Sequence, residues 1–219
     1  MEQLLLKISY FIVLLPLLTG LIFWRKTKRF SRGLILLSFV AAVPHLLAAS
    51  GIAPSERNII YNLYTVVEFI IMFSIFSPRF VTSFSKRVLG LSLIIGGVLS
   101  IPILISKNFI TDFNNQLVCL TNLVYLFWIL VLMRDTYLFD TPLFTKKDPF
   151  TFFALGIIVY ASASMLVMGL YNFLLENPQS PVAKLWVFHD FSNIFIYTMF
   201  FVGILTEITN HKGNSVGNV

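Results

Sequence analysis

Seven times along this chain about twenty residues pass with almost no charge. The segments lie at about 4–24, 33–50, 58–76, 87–105, 113–133, 150–175 and 185–206. A helix crosses the hydrocarbon core of a bilayer in about 20 residues, so each is long enough or nearly so. Lipid offers no water to the backbone, and only helices and closed barrels can cross it. Barrel strands alternate polar and apolar residues, and these segments do not. The expected fold is therefore all-α: one polytopic seven-helix bundle over residues 1–219, ending in a short polar, disordered tail at 207–219.

Stretches such as RKTKRFSR, GIAPSERN, SPRFVTSFSKR and LENPQSPVAK punctuate the segments as loops do. Charged residues make up 12% of the chain, about half of the ~25% that a water-facing surface carries. Pro16, Pro44 and Pro102 fall inside apolar segments, where neighbouring helices can accommodate a kink. Cys119 is the sole cysteine, which excludes an intrachain disulfide framework and CxxC metal sites.

Orientation follows from where lysine and arginine fall. One side of the seven spans collects Arg25, Lys26, Lys28, Arg29, Arg32, Arg79, Lys86, Arg87, Arg134, Lys146, Lys147 and Lys212. The other holds only Lys7, Arg57, Lys107 and Lys184. The bias predicts an outer N-terminus and a cytoplasmic C-terminus. The net charge of +6 is then a topology signal over short loops, suited to anionic lipid headgroups and not to nucleic acid. A signal peptide's charges precede its apolar stretch, whereas RKTKR follows the first span, so that span is expected to persist.

Ionisable side chains at membrane depth are costly and mark functional sites by default. Four stand out: His45, Glu68, His189 and Asp190. At about 1.5 Å per residue, Glu68 falls near the midplane and the other three in the outer half. Neutral polar groups share the bias: Tyr61, Asn62 and Tyr64 before Glu68, Asn122 and Tyr125 in the fifth span, and Tyr171 and Asn172 ending the sixth. In the seventh, His189, Asn193 and Tyr197 recur every four residues beside Asp190. Each of these has an ordinary packing explanation alone, such as an interhelical hydrogen bond. Together they predict a polar pocket, open to the outer side and floored by Glu68.

The stretches NLYTVVEFIIMFSIF, LGIIVYASASMLVMGLYNFLL and LWVFHDFSNIFIYTMFFVGI resemble an uncharacterised family of small bacterial seven-helix membrane proteins. That family is associated with neighbouring sensor-kinase genes. The resemblance covers about the last two thirds of the chain. It implies a multi-pass protein of the bacterial inner (cytoplasmic) membrane, with a sensor kinase or other membrane partner, and it transfers no catalytic role.

The leading expectation is a sensor or receptor-like protein that binds a small or lipid-like ligand among membrane lipids and signals through its cytoplasmic loops. A small-solute transporter is a second possibility, although it would need polar groups reaching both sides. A third is an intramembrane hydrolase like the alkaline ceramidases, which hold zinc. Catalytic zinc takes three protein ligands, and the available set is His45, His189 and Glu68. Glu68 lies about two turns deeper than the others, so no metal is expected. Retinal is excluded as a cofactor because the last segment has only Lys184, at its mouth, for a Schiff base.

Overall fold

The computed structural model describes residues 2–52, 54–106, 112–139, 144–176 and 184–216. Lys107, the side chain of Lys212 and residues 217–219 lie outside the described residues. The helices among those described are α1 (Glu2–Phe11), α2 (Leu14–Ile22), α3 (Arg29–Ala49), α4 (Pro54–Phe76), α5 (Ser83–Ser106), α6 (Asn115–Phe139), α7 (Pro149–Gly169), α8 (Tyr171–Glu176) and α9 (Leu185–Val216). With α1 and α2 counted as one span, seven stretches are long and apolar enough to cross a membrane.

Two expected spans are interrupted. The first breaks between Phe11 and Leu14. Pro16 has no N–H for the Ile12 carbonyl four residues back, and its ring crowds that oxygen. The Ile12 carbonyl instead accepts from the Leu15 N–H at 3.0 Å. The sixth segment ends as a span at Gly169, with α8 a separate short helix. Here Asn115 Nδ2 donates to the Met168 carbonyl at 2.9 Å, occupying an oxygen that a continued helix would use. By contrast, α3 and α5 run through Pro44 and Pro102 unbroken. At the far end α9 continues past the expected limit near 206 to Val216, and Glu207, assigned from sequence to the polar tail, is buried.

In lipid, helices associate through close packing and interhelical hydrogen bonds, since surrounding chains are as apolar as the helices. Aromatic rings supply much of that packing. Trp128 is fully buried, with its ring centroid 5.3 Å from Phe76 and 5.8 Å from Phe69, and its Nε1–H donates to Ser92 Oγ at 2.8 Å. Phe153 stacks on Phe200 at 5.6 Å and meets Phe76 at 5.3 Å. These rings form a packed layer across α4, α6, α7 and α9. α5 stands apart: 6% of its most apolar stretch is buried, against 50% for α6, α7 and α9, so it lies at the lipid-facing edge.

Gly51 turns the chain from α3 toward α4 at φ 79°, a left-handed conformation that costs glycine little. Gly156 permits close approach of α7 to α9, since a Cβ there would sit 3.1 Å from the Met199 Cβ and 3.3 Å from Ile196. We expect Gly156→Leu to overpack this seam and cost about 1–3 kcal/mol. Gly97→Leu, where a Cβ meets nothing within 4 Å, should leave stability unchanged. Fluorescence-detected thermal melts of the detergent-solubilised variants compare the two, and equal melting would refute the close seam.

Candidate functional site

On α4, Arg57, Tyr61, Tyr64 and Glu68 are spaced by four, three and four residues, which places them on one helix face. All four line a cavity of about 380 Å³. At 1.5 Å per residue, Arg57 and Glu68 are about 16 Å apart along the axis, so the cavity is a slot running from the helix end into the bundle. α9 forms the opposite wall with His189, Asp190, Asn193 and Tyr197. His45 joins from α3, Thr121 and Asn122 from α6, Tyr160 from α7, Tyr171 from α8, and Leu6 and Tyr10 from α1.

Hydrogen bonds hold several of these side chains. His45 Nε2 lies 3.2 Å from the Tyr197 hydroxyl, the rings edge to face at 5.6 Å. Asn122 Nδ2 donates to Ser164 Oγ at 3.1 Å. Ser9 Oγ donates to Asp190 Oδ1 at 3.1 Å, tying α1 to α9. The Tyr64 side chain is near enough to Glu68 and Tyr197 to bond to both. A chain of ring contacts lines the mouth, from Tyr160 through His189, Trp186, Tyr171 and Phe113 to Tyr61, each at 5.1–6.1 Å. Burial raises the Tyr171 phenol above its usual range, which keeps it a neutral donor.

Two buried nitrogens of the lining stay unpaired. Arg57 Nε and His189 Nε2 have no hydrogen-bond partner among the described residues. A buried donor without a partner costs about 1–3 kcal/mol, so both favour whatever polar atom enters the slot.

Ten of the residues singled out from sequence meet at this cavity: His45, Tyr61, Tyr64, Glu68, Asn122, Tyr171, His189, Asp190, Asn193 and Tyr197. Three do not line it. Asn62 is buried against the turn into α6, donating to the Asp112 carbonyl at 2.8 Å and accepting from the Asn114 N–H at 3.0 Å. Tyr125 is buried beside Trp128 and stacks on Phe69 at 6.1 Å, with its hydroxyl unpaired. Asn172 is exposed on α8. Tyr10, Thr121 and Tyr160 were not foreseen, and Arg57 had been weighed only for orientation.

Among the described residues no three of His, Cys, Asp and Glu are grouped so as to hold a metal ion. His45, His189 and Glu68 share the cavity without forming a three-ligand site. No protein-family model, curated protein or solved structure matches this chain. The chemistry of the site must speak for itself.

A second hollow, of about 390 Å³, lies at the opposite end. Arg79 grips Asp148 through two bonds, at 2.6 and 3.1 Å, and lies over the Phe150 ring at 4.8 Å. Asp148 also caps α7 by accepting from the Phe150 N–H at 2.9 Å. Glu207 of α9 accepts from the Lys28 backbone N–H and, at 2.8 Å, from Ser31 Oγ. It thereby caps α3, whose N-terminus favours a negative charge. Asn210 Nδ2 donates to the Lys147 carbonyl at 2.7 Å.

In a Cys119→Ser background, Asn193→Cys should react readily with a small neutral methanethiosulfonate. Ile204→Cys, about three turns further along α9 and fully buried, should not. Intact-mass analysis reads the adduct, and an unreactive Cys at 193 would show that the slot admits no solvent.

Proposed function

We propose that this chain is a receptor-like sensor of a bacterial inner membrane. It binds a small or lipid-like ligand in the slot between α4 and α9 and reports occupancy at the opposite, cytoplasmic end to a partner such as a sensor kinase. The observation that carries the reading is the pair of unpaired buried nitrogens, Arg57 Nε and His189 Nε2, on the wall of a cavity within the ~300–1,000 Å³ typical of small-molecule sites.

Orientation rests on the twelve-to-four distribution of Lys and Arg, which turns the slot outward. Transmission rests on α9. The same helix lines the slot at Tyr197 and caps α3 at Glu207, some 15 Å further along its axis. A shift of one end is felt at the other. Among the described residues the hydrolase alternative finds no grouped ligand set for zinc. The transport alternative meets the ring layer of Phe76, Trp128, Phe153 and Phe200, all essentially inaccessible.

Native mass spectrometry of protein extracted in mild detergent from its host membrane should show a small-molecule adduct. Substituting Glu68→Leu together with His189→Leu should remove it. A wild-type protein with no adduct, still unshifted after incubation with host lipid and metabolite extracts, would sink the binding reading. For orientation, an alkaline phosphatase fused after Val219 should be inactive and a fluorescent protein fused there bright. The reverse pattern would invert the slot.

A further inference from the structure

We propose that the inner end of the slot is a site for the ammonium head of an organic cation, with Glu68 as counter-charge and tyrosine rings as walls. The assignment rests on the binding reading above and names its ligand class. Glu68 is the deepest ionisable group of the α4 stripe, and its electrostatic neighbours are Tyr64, Tyr125, Tyr160 and Tyr197. Three of those phenols line the slot themselves. A cationic head seated against Glu68 would lie among the tyrosines that line the slot, whose ring faces attract a cation within about 6 Å of the centroid.

Among the described residues no lysine lines the slot and Arg57 is the one arginine that does, about 16 Å away along α4. A carboxylate offers about four lone-pair sites. Among the described residues the Tyr64 side chain is the neighbour close enough to bond it, which leaves sites for a ligand N–H or a close ammonium. At the mouth the preference reverses, because Arg57 Nε lacks a partner and suits an acceptor. The ligand is thus oriented, with its cationic head inward and a polar or anionic end toward Arg57.

The probe is choline, compared with 3,3-dimethylbutan-1-ol, which has the same shape without the charge. Scintillation proximity with radiolabelled choline on the full chain in a maltoside detergent reads direct binding. Displacement by the alcohol and by acetate reads selectivity. We expect saturable choline binding, with the alcohol at least about tenfold weaker and acetate without effect. Glu68→Gln keeps size and hydrogen bonding, and it should abolish the preference for charge while the protein still elutes as a single peak.

Absence of saturable choline binding, equal potency of the alcohol, or a charge preference surviving Glu68→Gln would each overturn the assignment. The Asn193→Cys labelling assay separates this from failure of the wider reading. If the alcohol or acetate protects that cysteine while choline does not, the slot binds ligands of another class. If the cysteine is unreactive without any ligand, the slot itself is wrong.

Discussion

Hydrocarbon cannot hydrogen-bond, and a polar group left unpaired in it costs several kcal/mol. Each polar side chain on these helices must therefore find a partner inside the bundle or border a wet hollow. Most of the structure follows from how that demand is met. Asn62 and Asn115 fasten helix ends by bonding to loop and helix carbonyls. Asn122 joins α6 to α7 through Ser164, and Trp128 joins α6 to α5 through Ser92. Asp135, wholly buried, accepts from Thr82 at 2.8 Å and pairs with Arg134 at 3.1 Å. Apart from the Tyr125 hydroxyl, what these pairings leave over collects along one slot, and the slot is where ligand chemistry becomes available.

The seven spans could be read from sequence because each depends on the length and polarity of a single segment. The α4 stripe could be read for the same reason: Tyr61, Tyr64 and Glu68 share a face by spacing alone. Asn62 sits one residue off that stripe, and its partners lie in the turn before α6, so only tertiary contact reveals its structural use. The break after Gly169 depends likewise on Asn115, a residue far away in sequence. Tyr10 and Tyr160 come from α1 and α7 and meet His189 only at the cavity. Matching depths between helices would have found them, but a search along each helix could not. Glu207 was misplaced in a tail because its reason for burial is the N-terminus of α3.

The termini of the spans divide the labour. At the slot end, aromatic side chains carry the contacts and charges are few. At the other, Arg79 links α4 to the start of α7 while α9 is bonded to α3 through Glu207. Four connections thus meet where the positive charge is densest. Arg32 lies over Trp24 at 5.2 Å and Arg134 over Phe84 at 4.0 Å, spreading guanidinium charge over rings at the level where headgroups begin. This end has the chemistry of a docking face for loops or lipids, and the slot end that of a recognition site.

Magnitudes decide how one end can influence the other. Opening a water path through the ring layer would part Trp128 from Phe69, Phe73, Phe76, Phe80 and Tyr125. At about 0.5–1.5 kcal/mol for each such pair, the five together come to about 2.5–7.5 kcal/mol, mostly above the ~1–3 kcal/mol that coupling between two sites usually supplies. The Glu207 cap consists of two hydrogen bonds, each worth about 1.5–3 kcal/mol to a charged group, so giving up one of them lies within that range. On the proposed sensor reading, a ligand pressing on Tyr197 or Asn193 then has energy enough to give up one of those two bonds through a shift of α9. It does not have enough to breach the layer between the two hollows. The same helix and the same rings that close this bundle to a pore make it suited to carry a mechanical signal.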